Sequence, residues 1–284
     1  MMKKTKVFLS HAHEDADVAN RIRQALQEAG VSAFYDQLDL SPGDSINRAI
    51  SAELSASDFV VLLLSPAALQ SSWLMEEVES LARSEWKQRA ISLILVKIRP
   101  CRIPDFLYKW SIIDATRSFS RGMEKLVQVL RVAPYIDLYY LKPPQFEELV
   151  MALLKAYGFR RFKRAPFMDE YAFDIVAEYR TKDPFGRSEV QEWLVEIKSH
   201  AGKTDISTLR EFLGAIALRK ERTQALFVTA SQLTSAAREW IESLEKRTTL
   251  PLTVLEGTDV IRLLLAKPEV ANKFFGLPEG GNHV

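Results

Sequence analysis

The chain has 284 residues, 47% of them hydrophobic and 26% charged, and a formal net charge of +1. That length favours two domains over one, and the composition is that of a globular protein, not of a disordered or fibrous one. Basic and acidic residues balance in each half, which excludes a uniformly basic nucleic-acid binder. Only local basic patches remain: Arg160, Arg161, Lys163 and Arg164 in one, and Arg219, Lys220 and Arg222 in another. Cys101 is the single cysteine, so no intrachain disulfide framework exists, which fits a reducing cytoplasm. The four histidines lack a zinc-site pattern. The charged start Met1–Lys6 runs straight into a strand without the apolar region of a signal peptide. The longest apolar run, near Phe59 to Leu64, is far too short to span a bilayer, so no membrane partner is expected.

From Lys6 to about Val132 strand and helix signals alternate. "KVFLS" is a short apolar strand. Asp15 to Ala29 follows as an amphipathic helix with Val18, Ile22, Leu26 and Ala29 on one side, stopped by Gly30. "VSAFYD" is a second strand, "SINRAISAEL" a helix, "DFVVLLLS" a fully buried strand, and Ser72 to Arg89 a longer helix. "ISLILVKI" and "SIIDA" complete five strands, and a last helix runs from about Ser120 to Val132. Near-continuous apolar strands alternating with helices imply a parallel sheet covered on both faces.

Three motifs in this stretch, "VFLSHAHED", "YDQLDLSPGDSI" and "SSWLMEEVESL", resemble in order and spacing those of a TIR domain. The resemblance spans residues 1–132 and implies a flavodoxin-like five-stranded parallel sheet of order 2-1-3-4-5. In such a sheet ligands bind where the strand order reverses, outside the carboxyl ends of strands one and three. Those ends deliver Ser10 to Asp15 and Ser65 to Glu77. Some TIR domains only self-associate; others cleave NAD, using a glutamate four residues beyond a tryptophan. Trp73 and Glu77 have that spacing, which puts them on one helix face. The resemblance implies Glu77 as the catalytic carboxylate, with NAD as substrate and Ser10, Trp73, Asp39 and Gly43 around it. The loop from Gln37 to Asp44 is implied as a gate or as a surface for self-association.

Residues 133–143 form a proline-punctuated joint, with Ala133-Pro134 at one end and Lys142-Pro143-Pro144 at the other. "YIDLYYL" between them is too apolar to hang free. Residues 144–284 read as a second α/β domain. A helix from about Gln145 to Tyr157 carries the apolar stripe Phe146, Leu149, Val150, Leu153 and Leu154, with Glu147 and Glu148 beside it. "FDIVA" is a buried strand opening on Asp174, and Asp183-Pro184-Phe185-Gly186 supplies a hairpin turn. The next strand contains Val195-Glu196-Ile197-Lys198, whose alternation puts Glu196 and Lys198 on one face. Two charges in a strand interior need a reason to be there. An acid and an amine beside a further acid can hold a divalent cation near a phosphate.

An acid on a helix, an Asp on a strand and Glu-x-Lys on the next strand resemble the PD-(D/E)xK nucleases, and in particular the Mrr-type restriction endonuclease domain. Helices at "LREFLGAIAL" and "TSAAREWI" and a strand at "ALFVTAS" extend the likeness over roughly Pro144 to Lys267. It implies a mixed sheet, Mg2+ held by Asp174 and Glu196, Lys198 orienting or activating water, Glu147 as a further acid, and DNA as partner. Where this family usually carries glycines just before the metal-binding Asp, the chain has Met168 to Ala172. Together the two resemblances imply a cytoplasmic bacterial defence effector. Two alternatives stay open: a non-catalytic TIR module beside a nuclease, or a nucleic-acid sensor beside a TIR enzyme.

Overall fold

The computed structural model describes residues 6–35, 57–70, 92–165, 173–200, 202–217, 223–246 and 252–276. They fall into two compact units, one ending at Tyr135 and the other beginning at Ile136. The predicted joint is thereby divided. The turn Ala133–Tyr135 closes the first unit, and the turn Leu138–Tyr140 opens the second, with Leu138 buried.

The first unit is a parallel sheet of β1 (Lys6–Ser10), β2 (Ser32–Tyr35), β3 (Phe59–Leu64), β4 (Ser92–Lys97) and β5 (Ser111–Asp114) in the order β2-β1-β3-β4-β5. This is the predicted flavodoxin-like order. Every residue of β3 is buried, as a central parallel strand covered on both faces requires. Helix α1 (Ala16–Glu28) turns Ala19, Ile22 and Leu26 inward at helical spacing. It ends before Gly30, whose φ of +78° suits a residue without Cβ. A short α2 (Pro66–Gln70) follows β3, and α3 (Phe119–Val132) closes the unit behind an N-cap from Ser118. The predicted helices at "SINRAISAEL" and Ser72 to Arg89 lie outside the described residues.

The second unit holds a mixed sheet of β6 (Arg160–Arg164), β7 (Ile175–Lys182), β8 (Ser188–Lys198), β9 (Gln224–Thr229) and β10 (Leu252–Leu255) in the order β10-β9-β8-β7-β6. The pairs β6–β7 and β7–β8 are antiparallel, and β8–β9 and β9–β10 are parallel. Helix α4 (Pro143–Ala156) starts on two prolines, whose missing N–H groups have no helical partner to lose there. Its residues Leu153 and Leu154 share an apolar cavity of about 190 Å³ with Trp193, Leu226, Val228 and, from α7 (Gly257–Leu265), Leu263. Helix α8 (Pro268–Phe275) packs next to α4 and α7. The opposite face of the sheet carries Leu194, Ala225 and Phe227. There they meet Leu209 and Phe212 of α5 (Ile206–Ala217) and Ala237 of α6 (Ser235–Glu245). Glu196 and Lys198 share the alternation of Leu194, so strand geometry puts them on the α5 face.

Candidate active sites

In the first unit the chain order reverses between β1 and β3, and the carboxyl ends of these strands open on one crevice edge. Ser10 is the last residue of β1 and is half-buried. Beyond it Asp15 is 1% exposed. Burial of a carboxylate demands partners, and Asp15 has two. Its Oδ1 accepts a 2.8 Å bond from Nε of Arg99, just past β4, and its Oδ2 accepts the hydroxyl of Ser65, just past β3. Ser65 Oγ in turn accepts the Ala68 N–H at 3.0 Å, at the start of α2. Three strand ends are thus tied through one carboxylate. Arg99 Nη2 also lies 3.7 Å from Asp17, and its pKa rises above the ordinary value through the hydrogen bond to Asp15 and the charges of both acids. Sequence patterning brackets Asp15 and Ser65 but misses Arg99. Its signal is a basic residue directly after an apolar strand, ahead of a proline. The predicted site residues Trp73, Glu77, Asp39 and Gly43 lie outside the described residues.

In the second unit Asp174 immediately precedes β7. Its N–H donates to the Val195 carbonyl at 2.9 Å, and its Oδ2 accepts the Ile197 N–H at 2.7 Å. Both bonds fasten it alongside the Glu196 segment of β8. Glu196 is 6% exposed, and Lys198 Nζ stands 2.5 Å from its Oε1. Burial pushes the Glu196 carboxyl from 4.5 up to about 7; the Lys198 bond opposes the rise and the neighbouring Asp174 adds to it. Burial lowers the Lys198 pKa, but Glu196, Asp174 and Glu211 of α5 outweigh it and raise the value. The two displacements differ in origin: burial dominates at Glu196, whereas the surrounding carboxyl groups dominate at Lys198 and keep its amine charged.

The structure therefore gathers Asp174, Glu196 and Lys198. It does not add Glu147 to them as a third ligand. The Glu147 carboxylate sits 3.7 Å from Arg164 Nη2, and among the described residues no group of three His, Cys, Asp or Glu side chains is placed to hold a metal. The pair still suits magnesium in kind. Both acids are hard oxygen donors, and a buried carboxyl that keeps a proton near neutrality marks a place where a cation can replace it. Glu211 escapes sequence patterning, because nothing local connects an exposed polar position of α5 to a lysine on β8.

Comparison with known proteins supports both halves. The TIR domain family matches residues 7–127, and the Mrr catalytic family, a restriction endonuclease, matches residues 138–264. The NAD(+) hydrolase PdTIR of Paracoccus denitrificans (strain Pd 1222) is 35% identical over 131 residues, 44% of each chain. The 2' cyclic ADP-D-ribose synthase BtTIR of Bacteroides thetaiotaomicron is 28% identical over 92 residues, 32% of each chain. The 2' cyclic ADP-D-ribose synthase AbTIR of Acinetobacter baumannii (strain 1295743) is 32% identical over 80 residues, 28% of this chain and 30% of that one. The chain spans less than half the length of each of these relatives. No helix among the described residues is long and apolar enough to cross a membrane. With the reversed-order parallel sheet and the Asp174–Glu196–Lys198 grouping already in place, the matches identify the chain as a TIR domain followed by an Mrr-type restriction-endonuclease domain.

Proposed function

We propose that the TIR domain cleaves NAD at the nicotinamide–ribose bond and that the second domain cuts DNA with magnesium, the two acting together as a self-associating bacterial antiphage effector in the cytoplasm. Relatives named as NAD hydrolases and cyclic ADP-ribose synthases support the first half. The observation that carries the second is the buried Glu196, set beside Asp174 and Lys198, its carboxyl pKa pushed by burial up to about 7.

In the first reaction nicotinamide leaves as a neutral base, so no general acid is needed. The ionised carboxylate of Glu77 stabilises the positive charge that develops on the ribose. In the second, Asp174 and Glu196 would hold magnesium, which when bound would polarise the scissile phosphate. Lys198 orients the attacking water and offsets the charge gathering on the phosphate oxygens.

Two substitutions test the reading in purified full-length protein. Glu77→Ala should abolish nicotinamide release and leave magnesium-dependent plasmid nicking intact; full NAD turnover by this variant would refute the assignment. Lys198→Ala should do the reverse. The two-acid character of the second site favours one competing reading, a domain that binds duplex DNA without cutting it. Wild-type protein that binds duplex but leaves plasmid intact in magnesium would decide for that reading.

A further inference from the structure

The β7–β8 hairpin projects well beyond the packed part of its sheet. The two strands stay paired from Ile175 and Val195 out to Lys182 and Ser188, yet the last wholly buried residues are Ala177 on β7 and Leu194 on β8. Its tip is a built turn. The Asp183 carboxylate accepts the N–H groups of Phe185 at 2.9 Å and Arg187 at 2.7 Å, and Gly186 takes a φ of +82°. The turn holds Phe185 in solvent, 88% exposed.

Register decides what flanks it. Arg180 and Lys182 alternate with Glu196 and Lys198 across β7 and β8, so they share that face. Arg160 and Lys163 of the edge strand pair with Glu178 and Val176 and join the same face, the bulge between them restoring the alternation. Among the described residues none of these four basic side chains makes an ion pair, whereas Arg161 is paired with Glu178 and Arg164 with Glu147. Outside the Asp174–Glu196–Lys198 grouping, the acids on this face are Glu178 and Glu192, two against the four basic side chains.

We propose that duplex DNA lies along this face, its phosphates on Arg160, Lys163, Arg180 and Lys182, with Phe185 inserted into the base stack. The inference rests on the reading of the second domain as one that acts on DNA. It adds where the duplex sits and how it is gripped. A phosphate backbone needs spaced, uncommitted cations, and an apolar wedge on a fixed turn can unstack a base step. The geometry also sets a distance. From Glu196 to Ser188, at the foot of the turn that carries Phe185, is roughly 26 Å of extended strand at about 3.3 Å per residue. At about 3.4 Å per base, the wedge acts roughly eight base pairs from the cut.

The test uses full-length protein and a 30-base-pair duplex in calcium, which replaces magnesium to favour binding over cutting, with binding read by anisotropy against salt. A 2-aminopurine placed about eight base pairs from a mapped cut reports unstacking. The double variant Arg180→Ala, Lys182→Ala should flatten the salt slope by about 2, roughly 0.9 for each lost phosphate contact. Phe185→Ala should leave the slope unchanged, weaken binding about tenfold and abolish the 2-aminopurine signal. Both variants should release nicotinamide as the wild type does. If the wild type binds duplex and both variants match it in slope and affinity, the face is wrong while the DNA reading stands. A change in sedimentation mass in place of a change in DNA binding would make the face a protein interface and overturn the proposal. Wild type that binds no duplex at any salt removes the DNA reading and the inference together.

Discussion

Replacing Glu196 by Gln should stabilise the metal-free protein at pH 8 and do so by less than about 1 kcal/mol at pH 5. The folded state raises the Glu196 pKa from 4.5 to about 7. Below pH 4.5 the carboxyl is protonated whether the chain is folded or not, and its burial costs little beyond that of a neutral amide. As pH rises towards 7 the unfolded chain ionises first, and stability falls. Above 7 the folded chain carries a buried carboxylate at full penalty. A tenfold change in proton affinity corresponds to about 1.4 kcal/mol, so that penalty is about 3 kcal/mol. That penalty is already net of the attraction of Lys198, so a neutral glutamine relieves about 3 kcal/mol. For a domain of this size that is a rise of about 9 °C in melting temperature. Differential scanning calorimetry of the full chain in EDTA, at pH 5 and pH 8, reads the effect on whichever transition moves. A variant that is destabilised at pH 8, or changed equally at both pH values, would refute the account of Glu196 as a proton-holding buried acid. Saturating magnesium should reverse the order at pH 8, because only the wild type then gains from binding.

Chelation should separate the two chemistries: EDTA abolishes plasmid nicking and leaves nicotinamide release at its original rate, measured in one reaction mixture. Asp15→Ala should destabilise the first unit by about 1–3 kcal/mol, because it orphans the buried Ser65 hydroxyl and releases Arg99. Urea unfolding followed by hydrogen exchange in β1 and β3 peptides checks it, with β8 peptides unaffected. Gly257→Ala should cost the second unit about 1–3 kcal/mol. A Cβ there would lie 2.3 Å from the Ala230 carbonyl oxygen, and backbone on both sides leaves it little room to move. A melting temperature equal to wild type would mean that α7 shifts freely.

What the sequence makes legible follows from how local each signal is. β3 is readable because a strand buried on both faces is apolar at every position. The hairpin is readable because Asp183 and Gly186 have the chemistry its turn needs. β6 is not. Its five residues contain one apolar side chain, Phe162, and Arg161 sits at a φ of +52°, so neither alternation nor propensity marks it. It becomes a strand only because the edge of β7 offers it hydrogen bonds. Sequence patterning therefore shows Arg160 to Arg164 as a basic patch and hides that register sends some of its charges to the face of Glu196. β10, α7 and α8 are short and lean on neighbours for their burial, and they are not among the predicted elements. The Asp174–Glu196–Lys198 grouping is legible because strand alternation pairs Glu196 with Lys198 and one hairpin brings Asp174 alongside. The lock of Asp15 on Arg99 spans 84 positions, and only the folded sheet brings its ends together.

The two charge clusters differ in what they leave undone. Around Asp15 the partners come from the chain itself: a guanidinium and a hydroxyl saturate the buried carboxylate, so the strand ends at the crevice are fixed before any substrate arrives. Around Glu196 burial outweighs the one ammonium that the chain supplies, and the carboxyl binds a proton more readily than a free one. That proton is exchangeable for a divalent cation, and a cation that displaces it brings the charge needed to act on a phosphodiester. The first arrangement suits a site whose chemistry is completed by an organic substrate. The second suits one switched by metal and pH, which is why chelation should silence one activity and spare the other.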